Sequence, residues 1–594
     1  MKSMPLHRLS RRAFLRAAGA STTLAVSGPA LFLQGCAQLA QLEQPPAASA
    51  PTAGQPEAAV PDVEIALTVR KGTTQILPGA PTETWSYHGE VIRGDPSAAQ
   101  AIPNSYLGPV LRVRRGQRVR LHMNNQLDEE TIIHWHGLIV PPEMDGHPQD
   151  AVGPDQTYVY EFEVRNRAGA YWFHPHPHGR TGYQVNMGLA GLFLVGDDEE
   201  DAAGLPTGDY DVPLVIQDRT FDANNQFAYV NGNEGHGNGH GMHGMSNMQG
   251  MMGNMMDNME QTMGFLGETI LVNGRPDFVL PVATRAYRLR LLNGSNSRIY
   301  KLAWSNGAPM TVIATDGGLL EEPMSYPYVT LSPGERVELW ADFSQEGVGS
   351  EIKLQSLAYS GVEAGMFMGG MRMEMMHQTA LPNGEPFDVL TVRVERAEHE
   401  TVMLPGAPGA RLATIEHLQV ADAVNAAQPR PFALSMAGGA WLINGKPFVM
   451  DEVADDETVA LGSTEVWEFI NEFNAASMVL GSQGHLGHAQ GGHGGGMAMQ
   501  GEMTDFMAHP IHLHGVQFQV LARAIDPAYE RGWQTVNEGF VDEGWKDTVL
   551  VMPGERVRLL VRFADFAGRY LFHCHNLEHE DLGMMRNFLI EERT

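Results

Sequence analysis

Four His-x-His pairs and one cysteine are the residues of this chain best suited to chemistry. The pairs are His134/His136, His174/His176, His512/His514 and His573/His575. A β-strand sends alternate side chains to opposite faces, so each pair presents two imidazoles on one face. One pair alone is weak evidence, because histidines on solvent-facing strands are common. Four pairs with aromatic, Gly or Pro neighbours point to metal. Eight imidazoles suit three borderline metal ions at two or three ligands each, with positions left open for a substrate. Cys574 lies between His573 and His575 and so faces the other way. His579 and Met584 follow it, and His509 leads the third pair through Pro510. Two His, one Cys and a weak axial Met make a blue-copper electron-transfer site. From Cys574 an electron can pass through the adjacent backbone to His573 or His575 on the opposite face.

The elements that must position these residues read as strands. Val110-Leu111-Arg112-Val113-Arg114, Arg118-Val119-Arg120-Leu121 and Tyr287-Arg288-Leu289-Arg290-Leu291 alternate with period two, and Asn293-Gly294 is a turn signal. Long helical periodicity is scarce, so the expected fold class is all-β sandwiches or barrels. The chain also repeats itself. Pro333-Gly334-Glu335-Arg336-Val337 echoes Pro553-Gly554-Glu555-Arg556-Val557, and Leu271-Val272-Asn273-Gly274 echoes Leu442-Ile443-Asn444-Gly445. Ile133-His134-Trp135-His136-Gly137 echoes Ile511-His512-Leu513-His514-Gly515. Tyr171-Trp172-Phe173-His174-Pro175-His176 echoes Tyr570-Leu571-Phe572-His573-Cys574-His575. The echoes predict three β-rich units, near 61–200, 205–400 and 412–594. The histidine pairs fall in the first and last, so the metal cluster is expected at their interface.

Composition narrows the class. At 594 residues the chain is long enough for about three domains. A formal net charge of −30 argues against a general nucleic-acid binder, which needs basic surface. The only cysteines are Cys36 and Cys574. That excludes a disulfide framework, a four-Cys zinc site and an iron–sulfur cluster. Ser10-Arg11-Arg12-Ala13-Phe14-Leu15 resembles a twin-arginine export motif, and the apolar stretch after it is weaker than a membrane span. Leu33-Gln34-Gly35-Cys36 resembles a lipobox, in which Cys36 carries the lipid anchor. The alternative is cleavage nearby, which discards Cys36. Residues 1–36 are therefore read as an export signal and 37–60 as an Ala/Pro-rich tether. The body is expected in the periplasm or outer cell envelope.

Taken with their neighbours, these motifs resemble the multicopper oxidases across essentially the whole mature chain. Within that family the likeness is to bacterial copper-efflux (cuprous) oxidases and bacterial laccases. It is carried by His134-Trp135-His136-Gly137-Leu138, Trp172-Phe173-His174-Pro175-His176, His509-Pro510-Ile511-His512-Leu513-His514-Gly515 and the run from His573 to Met584. Gly544-Trp545-Lys546-Asp547-Thr548-Val549 adds support. The resemblance implies three consecutive cupredoxin-like Greek-key domains and four copper ions. It assigns a type 1 copper to His509, Cys574 and His579 with Met584 axial, and a type 2 copper to His134 and His512. It assigns the type 3 pair to His136, His174 and His575 on one ion and His176, His514 and His573 on the other. It implies Asp145 and Glu580 as proton carriers for the reduction of O2 to water. His178, which extends the second pair, is read as a structural or supporting residue and not a ligand.

The methionines bear on the identity of the donor. Thioether sulfur is a soft ligand that favours Cu(I). Residues 233–263 hold nine Met, 361–377 six, and the Gly/His/Met-rich stretch 482–507 four. The first and third are read as loops or short helices able to bind labile copper. Within the second, 366–376 has a short buried helix as its alternative reading. Met436, Asp505 and Met507 match substrate-copper ligands of the efflux oxidases. The acidic partner expected after Met436 is absent, and the main Met-rich segment sits in the middle unit where the efflux oxidases carry theirs in the last. The expected activity is oxidation of Cu(I) to Cu(II) for copper tolerance. Alternatives are a laccase acting on phenols and other small aromatic reductants, a ferroxidase, and a non-enzymatic copper buffer. The complete set of ten copper-binding His with Cys574 argues against the last.

Overall fold

A computed structural model describes residues 60–229, 262–363, 365–368, 371–374, 379–404, 411–437, 440–471 and 507–592. The expectations placed on the export signal, Cys36, the tether up to 59, most of the Met-rich stretches 233–263 and 482–507, and Asp505 lie outside these residues. The described chain is mostly strand, as the alternation requires. Val63, Ile65, Leu67 and Val69 point into a core from the strand Val63–Thr74, while the residues between them face outward. Among the described residues no helix is long and apolar enough to cross a membrane.

Six principal sheets form three consecutive two-layer domains. The first domain sets a four-stranded sheet against a five-stranded one, with strands running from Val63–Thr74 to Gly191–Gly196. The middle domain pairs an eight-stranded sheet with a five-stranded one, from Asp211–Phe221 to Phe387–Arg396. The last domain packs two five-stranded sheets, from Arg430–Ala437 to Met585–Glu591. Each of the six sheets contains one parallel neighbour pair among antiparallel ones. The expected all-β class is therefore present, built three times on one plan. Three separate hydrophobic cores fill the sandwiches. The Met-rich stretch around 366–376 contains an antiparallel hairpin, Gly365–Met368 with Met371–Glu374, and not the alternative buried helix.

The histidine pairs sit on matching strands of the first and last domains. Ile133–His136 lies antiparallel to Gly169–Pro175 with His134 opposite His174. His509–Leu513 lies antiparallel to Gly568–Cys574 with His512 opposite His573. Strand alternation then divides the work. Trp135, Tyr171 and Phe173 enter the first core while His134, His136 and His174 face away from it. Ile511, Leu513, Phe572 and Cys574 enter the last core while His512 and His573 face away.

Candidate metal centre

Cys574 leads to the first group of donors. Its Sγ lies 3.5 Å from His509 Nδ1 and 3.6 Å from His579 Nδ1, and the two nitrogens are 3.3 Å apart. All three residues are at most 1% exposed. The strand ending at Cys574 turns through the short helix Leu577–Asp581, whose first turn is capped by Asn576 Oδ1 accepting from His579 N. The chain then returns so that Cys574 N donates to Met584 O at 3.0 Å, and Met584 joins the same core. Burial pushes the Cys574 thiol far above its ordinary range and His509 down to about 3. A neutral imidazole is ready to ligate, and a buried thiolate requires a soft cation beside it. The donor set fits copper on both counts.

Eight histidines form the second group. His136, His174 and His575 bring ligand nitrogens together, as do His176, His514 and His573. His134 Nε2 and His512 Nε2 face each other at 3.2 Å. The far nitrogen of most rings is held by an acceptor, which fixes the tautomer. His134 Nδ1 donates to Asp145 O, His174 Nδ1 to Pro175 O, His512 Nδ1 to Asp547 O and His573 Nδ1 to Cys574 O, at 2.8 to 3.1 Å. His514 Nδ1 donates to Asp145 Oδ2 at 2.7 Å. Fully buried His136 Nδ1, His174 Nε2 and His575 Nε2 are left without hydrogen-bond partners. These three residues also form a group whose ligand atoms lie within 4.8 Å of one another, and buried nitrogens without partners in such a group are what a metal site leaves in the protein alone.

Both proposed proton carriers reach the cluster. Asp145 is 1% exposed and contacts His514 and His134. Glu580 is 2% exposed, with Oε2 3.2 Å from His573 Nδ1 and Oε1 3.6 Å from His176 Nε2. Burial, helped by the neighbouring charges of Asp581 and Glu578, holds the Glu580 carboxyl well above the usual range. Burial likewise raises Asp581 to about 8 although it accepts from Thr181 N and Gly182 N. His178 stands apart, its ring centroid 5.1 Å from that of Phe448. Met507 and the half-buried Met436 belong to the core around Cys574.

Several contributors were not singled out from sequence. Trp441 tilts over His579 with ring centroids 4.2 Å apart, and its Nε1 donates to Thr262 O at 3.0 Å. Glu578 accepts from Tyr229 Oη at 2.6 Å, Phe265 N at 2.9 Å and Asn296 Nδ2 at 2.8 Å. Asp547 and Thr548 contact His136 Nε2, each at 3.1 Å, and Arg336 grips Asp547. The middle domain, which has no histidine pair, thus touches the cluster. Gly334 sits there at φ +84, and a Cβ would fall 3.0 Å from both His136 and His575. That backbone conformation and that closeness both demand glycine.

Burial lowers the pKa of His136, His174, His176, His512, His514 and His575 well below the ordinary value, with neighbouring imidazolium charge second. A depressed folded-state pKa contributes stability above the unfolded value that is lost as pH falls. The apoprotein should therefore lose thermal stability below about pH 6.5, where unfolded histidine takes up protons. Copper-loaded protein should resist that loss until the metal itself is displaced. Unfolding temperatures of both forms across pH would check this. A flat apoprotein profile would show that the rings are not held neutral.

Family models for multicopper oxidases match residues 83–200 and 426–594. The multicopper oxidase McoA from Aquifex aeolicus is a structural relative at 30% identity and a TM-score of 0.66, covering 90% of this chain and 97% of its own. A laccase-like multicopper oxidase from Ochrobactrum sp., described as active on lignin model compounds, matches at 26% identity and a TM-score of 0.63, covering 89% and 97%. A laccase from Bacillus subtilis is 28% identical, covering 85% of this chain and 90% of its own.

Proposed function

Because this chain belongs to the multicopper oxidase family, with its cupredoxin-like domains, we propose that it couples oxidation of Cu(I) to the four-electron reduction of O2 to water. In this reading His509, Cys574, His579 and Met584 hold a type 1 copper, and His134 and His512 a type 2 copper. His136, His174 and His575 hold one type 3 copper, and His176, His514 and His573 the other. When bound, these ions supply one-electron acceptance from the donor and a four-electron store for O2. The chain's own residues supply the rest. The peptide from Cys574 to His573 and His575 links the two groups of donors covalently. Glu580 keeps a carboxyl proton beside His573, and Asp145 orients His514 and His134. We take the protein to be exported by its twin-arginine segment, with Cys36 as its candidate lipid anchor.

One observation carries the choice of Cu(I). The residues bordering the longest Met-rich stretch are fastened to the type 1 site. Tyr229, before it, and Phe265, after it, both bond Glu578, which neighbours His579. Thr262 accepts from Trp441 over the His579 ring, and Met263 lies in the core with Cys574, Met507 and Met584. These flanking residues belong to the middle domain but bond residues of the last one. His509 and His579 are 1% and 0% exposed, which leaves little imidazole edge for a flat phenol and suits a small ion that soft sulfur can bring close. The laccases among the relatives favour the second reading, a phenol oxidase.

Steady-state O2 uptake separates the readings. We expect rapid turnover with Cu(I), and phenol turnover that depends on added Cu(II). Fast phenol oxidation without extra copper, together with poor use of Cu(I), would reverse the assignment. Fe(II) as a third donor tests ferroxidase activity. Deletion of 236–258 spares the Thr262 and Met263 anchor. It should raise the KM for Cu(I) and leave the blue absorption intact, and unchanged Cu(I) kinetics would reduce the segment to a linker.

A further inference from the structure

We propose that Arg336 and Asp547 are a positioning pair that fixes which ring nitrogen of His136 faces the type 3 copper, so that the middle domain helps to build the oxygen-reducing site. The inference rests on the copper assignment above. Arg336 is fully buried and every guanidinium donor is used. Nε donates to Ala170 O at 3.0 Å. Nη1 donates to Gly334 O at 3.0 Å and Asp547 Oδ1 at 2.7 Å. Nη2 donates to Asp316 O at 3.0 Å and Asp547 Oδ2 at 2.6 Å. The two-point grip leaves the Asp547 carboxylate no freedom to rotate. The first, middle and last domains meet at this one side chain.

Asp547 passes that rigidity to the histidine. Its Oδ1 lies 3.1 Å from His136 Nε2. Thr548 Oγ1 is also 3.1 Å from Nε2 but donates its own proton to Asp547 Oδ1 at 3.0 Å, and the carboxylate gripped by Arg336 only accepts, so Nε2 carries the proton and Nδ1 the lone pair. His136 Nδ1 is the nitrogen that is buried without a partner. The opposite arrangement holds at His514, where Asp145 Oδ2 accepts from Nδ1–H and leaves Nε2 for the metal. Two carboxylates thus set opposite tautomers on two histidines of one cluster. Arg336 is itself fixed from behind. Asp316 Oδ1 accepts from Arg336 N at 2.8 Å, and Lys546 Nζ lies 3.1 Å from Asp316 Oδ2 and 3.0 Å from Glu335 Oε1. Gly137, at φ +85, keeps the space clear, since a Cβ there would overlap Asp547 Oδ2.

The bland alternative is a buried ion pair that only holds domains together. Asp547→Asn and Arg336→Lys distinguish the two, because the first keeps the volume and the second keeps the charge but not the fork. The measurements are copper per chain after reconstitution, visible absorption, EPR, and thermal unfolding of the apoproteins. We expect Asp547→Asn to keep the type 1 absorption, to bind close to one copper fewer, and to show a new EPR signal from the type 3 copper that has lost its spin-coupled partner. Arg336→Lys should show the same loss in part. Full copper content with unaltered spectra and only a lower unfolding temperature would overturn the proposal. Loss of type 1 copper along with the cluster in both variants would overturn it too, as a folding role. If the wild-type protein bound no copper, the copper assignment itself would fail.

Discussion

Replacing Cys574 with serine should remove the blue absorption expected of a type 1 copper and stop turnover with every electron donor. We expect kcat to fall by about three orders of magnitude or more, equal to a barrier higher by about 4 kcal/mol. Serine is close to cysteine in size, so the last domain's core should hold, but a hard hydroxyl does not replace a soft thiolate. The effect should be confined to one face of the strand. Cys574 enters the core while His573 and His575 face the cluster, so copper analysis should still find close to the wild-type content of type 2 and type 3 sites. A blue variant, or one that oxidises Cu(I) normally, would show that electrons enter elsewhere.

Glu580→Gln should slow O2 reduction by about 10²-fold or more, the usual contribution of a positioned general acid. The amide matches the carboxyl in shape and cannot supply the proton. The type 1 absorption, and its bleaching by Cu(I) without oxygen, should be unchanged. The pH profile adds a second signature. Burial, with Asp581 and Glu578 close by, raises the Glu580 carboxyl and keeps it protonated at pH values where an exposed glutamate is charged. Wild-type turnover should fall as pH rises through that elevated value, and the variant should lose this limb. Normal turnover across pH would remove Glu580 from the proton path.

How much of this was legible depended on whether a residue's partner was local. The histidine pairs are legible because strand alternation alone puts both rings on one face, and the echo between the two ends puts the same pair of motifs in the first and last units. The all-β class followed from the same alternation. Arg336 is not legible because its phrase, Pro333-Gly334-Glu335-Arg336, reads as repeated scaffold. In part it is: Glu335 Oε2 accepts from Ser332 N, and Glu555 Oε2 accepts from Met552 N, closing the same turn in two domains. The following arginines then diverge. Arg336 is buried against Asp547, whereas Arg556 pairs with Glu468 and remains 39% exposed. Asp547 reads from sequence only as part of a supporting motif, because its partners lie 211 and 411 positions away. Trp441 and Glu578 were hidden for the same reason.

The separation of the histidines along the chain has a consequence for the protein's lifetime. His134 and His512 meet across 378 positions. Closing a loop of that length costs about 5 kcal/mol of chain entropy, and the site stays incomplete until the last domain has been made. Copper captured earlier would rest on half a site, so loading must follow folding. Once loaded, the proposed ions would tie the first domain to the last across that whole loop. Among the described residues Cys574 is the only cysteine, and it is free. Copper would then be the cross-link that disulfides supply in many secreted proteins, and its release would set the rate at which the molecule comes apart.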